Sequence, residues 1–132
     1  MNQKLGLFFI ILLLLGGIIN VSNSYAISSD KVFVIKDISV DVTANTALAA
    51  REKALEKGQI IAWRRLLRRL TLMNAADSIG EVPFLEIRPL IRGYEVLRER
   101  TSPVRYVAEL TVTFNDEDVR QFLLDNSVAF AE

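Results

Sequence analysis

From Val104 to Phe114 apolar and polar residues alternate almost without a break, and this run narrows the fold more than any other. Val104, Tyr106, Ala108, Leu110, Val112 and Phe114 fall on one side. Arg105, Val107, Glu109, Thr111 and Thr113 fall on the other. A period of two over such a length describes a strand with one face on a core and one in water. A strand of that kind needs neighbours and a cover. Thr101-Ser102-Pro103 supplies turn chemistry just ahead of it, so residues 94–101 and 104–114 are predicted to form a hairpin. Residues 32–42 are predicted to form a third strand. Val32, Val34, Ile38, Val40 and Val42 share one parity there, interrupted once by Lys36, with Asp37, Ser39 and Asp41 on the other. The opening Val32-Phe33-Val34-Ile35 is apolar on both faces, which fits either cover on both sides or an interaction site.

The cover is a long helix over about 46–72. Thr43-Ala44-Asn45-Thr46 offers N-cap oxygens, and strong helix formers follow from Ala47 to Leu55. At 100° per residue, Leu48, Leu55, Gly58, Ala62, Leu66 and Leu70 form one stripe, with Trp63 at its edge. Glycine inside a helix costs about 1 kcal/mol against alanine. Its place on the apolar stripe implies close approach of the helix to a sheet. Residues 73–83 lose periodicity and read as a loop. Residues 84–91 suit a turn or two of helix ended by Gly93, although Pro89 discourages a continuous one. Asn115 or Asp116 caps a last helix over about 116–125, with Val119, Phe122 and Leu123 inward; Val128 and Phe130 beyond it ask for something to pack on. The sum is an α+β fold: a two-layer, three-stranded, mainly antiparallel sheet with the long helix on one face. The expected strand order is 2-3-1.

Ahead of this domain, Leu5–Ile19 carries no charge, Lys4 precedes it, and Ser24-Tyr25-Ala26 has small residues at the two positions a signal peptidase reads. The expectation is a signal peptide over 1–26, cleaved after Ala26, and a single domain over 27–132 that acts outside the cytoplasm. The alternative is an uncleaved inner-membrane anchor, for which fifteen apolar residues are short. Cleavage removes Lys4 from 16 basic residues and nothing from 16 acidic ones, leaving 15 against 16. Such a balance does not suggest a nucleic-acid partner, and the mature chain holds no candidate spanning segment. The sequence does not give the oligomeric state.

The chain has no histidine and no cysteine. Imidazole and thiolate triads and metal sites are therefore excluded. Asp37 and Asp41 sit about 13 Å apart along a strand, too far to act as a pair. Asp116-Glu117-Asp118 suits the first turn of a helix at least as well as a hard cation. Glu81, Glu86, Glu95, Glu99 and Glu109 contain no pair that spacing singles out. Hence no catalytic residue, metal or cofactor is assigned, and a carboxylate-only hydrolase is a distant alternative. Arg64, Arg65, Arg68 and Arg69 stand out as a candidate binding face: residues 51–69 hold seven basic groups against Glu52 and Glu56. Such a cluster serves either an anionic partner or internal pairing with the acidic last helix. On the first reading, glutamine at all four positions should leave folding intact.

Asp41-Val42-Thr43-Ala44-Asn45-Thr46-Ala47, Ala50-Arg51-Glu52-Lys53-Ala54-Leu55, Gly58-Gln59 and the run from Ala62 to Thr71 together resemble a bacterial exported family. Gly93-Tyr94-Glu95-Val96 and the run from Arg105 to Phe114 add to the likeness. The family is the one catalogued as domain of unknown function number 2066, in its alphaproteobacterial form, and the similarity spans about 32–131. It implies a Gram-negative envelope or periplasmic protein and supplies no activity, ligand or catalytic residue. Family members continue past the segment matching 127–132, so the resemblance covers their N-terminal portion only. The function expected is a non-catalytic periplasmic or envelope module that binds another envelope component, an envelope protein or an anionic envelope polymer. The alternative is a peripheral binder of anionic lipid or cell-wall polymer through Arg64–Arg69.

Overall fold

A computed structural model describes residues 31–131. The expected signal peptide lies outside the described residues. Among the described residues, no helix is long and apolar enough to cross a membrane.

Three strands, β1 (Val34–Thr43), β2 (Ile91–Thr101) and β3 (Arg105–Phe114), form one antiparallel sheet in the order β1-β3-β2. The alternating strand is therefore central, as expected. Tyr106, Ala108, Leu110, Val112 and Phe114 are all buried on its inner face. The hairpin closes where Ser102 N–H donates to the Arg105 carbonyl at 2.8 Å, and Arg105 N–H returns a bond to Ser102 Oγ at 3.1 Å.

β1 departs from the expected pattern. Its buried residues are Phe33, Ile35, Ile38 and Val40, so parity changes midway. The register against β3 slips between Ile35 and Ile38, and Asp37 takes φ 56°. One extra residue is accommodated in a bulge, and each side chain beyond it moves to the other face. Lys36 is thus not an intruder on an apolar face but part of the bulge that switches it.

The long helix α1 (Ala47–Leu70) packs on β1 and β3. Thr46 Oγ1 caps it, accepting from Ala49 N–H at 3.1 Å. Gly58 explains how close it lies: a Cβ there would fall inside Leu110 Cδ1, with Val40 Cγ1 at 3.1 Å. Leu55, Gly58, Ala62, Leu66 and Leu70 are buried as the stripe predicts, but Leu48 is 65% exposed. The helix crosses the strands, so the line of contact drifts around it, from Ala50 and Ala54 to Trp63 and Leu67.

Residues 73–83 are not all loop. A short helix, α2 (Met73–Ser78), interrupts them, and α3 (Phe84–Ile87) runs into a 3-10 turn over Arg88–Leu90. Pro89 sits early in that turn, where its missing N–H costs nothing. Gly93 lies within β2 and ends no helix. The last helix, α4 (Asp116–Asp125), has the expected bounds and is capped by Asn115 Oδ1.

Trp63 is not at the edge of the core but inside it, 1% exposed. Its ring meets Phe114 at 6.0 Å and Phe122 edge-on at 5.3 Å, joining α1, β3 and α4. Beyond α4, Val128 is buried, Phe130 bridges to Thr71, and Ala131 N–H donates to the Leu70 carbonyl at 2.9 Å.

Candidate functional site

The arginine cluster divides into two pairs, as helix geometry requires of residues at i and i+4. Arg65 Nη1 donates to the carbonyls of Lys36 at 3.2 Å and Asp37 at 3.0 Å. Arg69 Nη1 donates to Val32 at 2.7 Å and Val34 at 3.2 Å, with Lys31 at 3.5 Å. The direction of these carbonyls follows from one bond. Phe114 N–H donates to the Phe33 carbonyl at 2.9 Å, so Phe33 faces β3. Val32 and Val34, one residue either side, therefore turn their carbonyls to the free edge of β1. Those acceptors are what an incoming strand would need, and two guanidinium groups occupy them with charge-assisted bonds. Arg64 instead donates to Glu81 Oε1 at 2.7 Å, in an exposed pair. Arg68 is exposed and has no hydrogen-bond or ion-pair partner among the described residues. The expected face of four is thus two structural ties, one surface ion pair and one open cation. None of the four pairs with α4. Glutamine at all four positions would remove the edge ties as well as any binding charge.

The opposite edge is finished differently. α1 does not lie over β2, whose residues are exposed except the half-buried Ile91 and Val96. Tyr94 is 44% exposed on the helix side, where it pairs across from buried Val112. Leu97 is 42% exposed on the open face, across from Glu109. Bulges between Ile91 and Gly93 and between Leu97 and Arg100 bracket the run, the second with Arg98 at φ 50°.

The acidic candidates are drawn apart. Asp37 lies in the β1 bulge. Asp41 accepts from Arg105 Nε at 2.8 Å and Nη2 at 2.6 Å, and this fork holds its carboxyl below the ordinary value. Asp116 meets Arg92 at 3.6 Å. Glu109, on the open face, is held by Arg98 at 3.2 Å. Glu99 accepts from the Tyr106 hydroxyl at 2.7 Å on the helix side. Burial, and then Glu99, push the Tyr106 phenol up. Among the described residues, no group of three or more acids could hold a metal ion.

Fold and surfaces together define an α+β two-layer module with one edge tied along its first half and one strand largely uncovered. Sequence reasoning singled out the arginines but missed β2. The signal available was the mixed run Tyr94-Glu95-Val96-Leu97, apolar on both parities in the strand that the crossover helix does not reach. Comparison with protein-family models, curated proteins and solved structures finds no match to this chain.

Proposed function

We propose that this chain is an exported, non-catalytic module of the bacterial envelope, which docks a partner protein against β2. One observation carries the reading: β2 has exposed side chains on both faces, while the first half of the β1 edge, residues 32–37, is occupied by Arg65 and Arg69. On β2 the bulges and most of the charged residues that blunt an edge flank the run Gly93–Leu97, which stays regular and open to a partner. The N-terminal apolar run and the resemblance to an exported family support the periplasm as its place.

A second reading rests on Arg68. With Lys53, Lys57 and Arg64 it faces outward along α1, and a shallow hollow of about 490 Å³ there is lined by Lys53, Lys57, Ile60, Ile61 and Arg64. That surface would suit anionic lipid or cell-wall polymer. Glu56 in the same hollow and Glu81 on Arg64 reduce its charge, so the β2 reading is preferred.

The test is a photo-crosslinking residue placed at Leu97 or, separately, at Arg68, in cells that express the protein. A discrete protein adduct from position 97 and none from 68 is the expected result. Adducts from position 68 alone, or lipid adducts there, would replace the β2 reading with the second one.

A further inference from the structure

The phase of the sheet determines what β2 offers. The Phe114–Phe33 bond turns the backbone groups of even-numbered β3 residues toward β1 and those of odd-numbered ones toward β2. Thr113, Thr111 and Glu109 lie across from Gly93, Glu95 and Leu97. The N–H and C=O of Tyr94 and Val96 consequently point away from the sheet, along an edge with no further strand among the described residues. Between the two bulges the register is unbroken from Gly93 to Leu97. Its neighbours' charges are committed: Arg92 to Asp116, Arg98 to Glu109, Glu99 to Tyr106. Glu95 is exposed and has no partner among the described residues.

We infer that the Gly93–Leu97 edge accepts an extended segment of a partner protein by antiparallel strand addition, with a basic residue beside Glu95 and apolar residues beside Tyr94 and Val96. The inference rests on the binding-module reading above. The outward N–H and C=O groups of Tyr94 and Val96 supply the ladder bonds. Glu95 then occupies a non-hydrogen-bonded site, where facing side chains come closest and opposite charges count most. Tyr94 and Val96 lie on the helix side of the sheet, across from buried Val112 and Leu110, so apolar residues of the segment would extend the inner layer.

A second copy of this chain fits poorly. Two-fold pairing centred on Glu95 sets that carboxylate against itself. Centring on Val96 or on Tyr94 leaves Glu95 opposite Leu97 or Gly93, without a basic partner. Like charges across a ladder are destabilising.

The experiment titrates the isotope-labelled protein with capped peptides Thr-Val-Lys-Val-Thr and Thr-Val-Glu-Val-Thr and follows amide exchange residue by residue. The lysine peptide should slow exchange at Tyr94 and Val96 and leave Ser39 and Asp41 on the β1 edge unchanged. It should bind about fivefold more tightly than the glutamate peptide, the scale of one cross-strand charge pair. Glu95→Lys should reverse that preference. Val96→Pro removes an outward donor, which an edge strand tolerates, and should abolish binding; unchanged near-ultraviolet dichroism of Trp63 verifies its fold. Equal affinity for both peptides, or no protection at millimolar peptide, overturns the inference. So does protection that grows with protein concentration alone, which would assign the edge to a second copy. If position 97 crosslinks while Tyr94 and Val96 stay unprotected, docking on β2 stands and strand addition falls.

Discussion

β1 and β2 are both edge strands, and both are bent by a bulge with a non-glycine residue at positive φ. There the likeness stops. β1 lies under α1, buries alternate residues on either side of its bulge, and has the outward carbonyls of its first half bonded to Arg65 and Arg69. β2 lies largely beyond α1, and the outward backbone groups of Tyr94 and Val96 have no partner among the described residues. The difference follows from one crossover: a helix launched from the end of β1 can lie on β1 and the central strand, and its side chains reach only the near edge. Closing an edge here needs no extra element, only arginines one turn apart on the helix that already forms the core.

Truncation on the two strands should break the symmetry most visibly. Ile38→Ala empties a fully buried site in β1 and should cost about 2–5 kcal/mol. Val96→Ala, half-buried on β2, should cost under about 1 kcal/mol. Urea denaturation with a shared slope measures both, and equal losses would mean that β2 is covered in solution. A smaller effect is expected from Arg65→Met with Arg69→Met. Losing these charge-assisted bonds should lower stability by about 1–2 kcal/mol. It should also introduce self-association, read by sedimentation, that the corresponding change at Arg64 and Arg68 does not. Monomeric behaviour would show that the β1 edge needs no protection.

The smallest effect concerns the open face, where Arg105 clamps β1 to β3 through Asp41. The Asp41 carboxyl is held below its unfolded value, so its contribution is present above about pH 4 and lost as pH falls through the lowered folded value. Asp41→Asn should flatten the acid limb of the midpoint-against-pH curve slightly, because the fork is exposed. An unchanged limb would mean the fork does not persist in solution.

The strands, the hairpin and the last helix were legible because each follows from local period and turn chemistry; the strand order, which neither fixes, agreed with the expected one. The β1 bulge was legible only in part: a change of parity from Phe33 and Ile35 to Ile38 and Val40 marks it, but one lysine on an otherwise regular face reads as noise. Leu48 misled because a wheel drawn for a helix lying along a strand ignores the crossing. The short helix at Met73–Ser78 has no apolar stripe to announce it. The roles of the arginines depended on where the edge of β1 would pass, which is tertiary information; only the i, i+4 spacing of 65 with 69 hinted that the four would not act together.

The tail contacts have a mechanical meaning. Lys31 lies against Arg69, and Ala131 is bonded to Leu70, so the two ends of the described chain leave from adjacent residues of one helix terminus. The hairpin turn sits by the other end of that helix, roughly 36 Å away for 24 residues. Force applied between the two ends of the described chain would load Arg69 and the Thr71–Phe130 bridge before it reached the sheet.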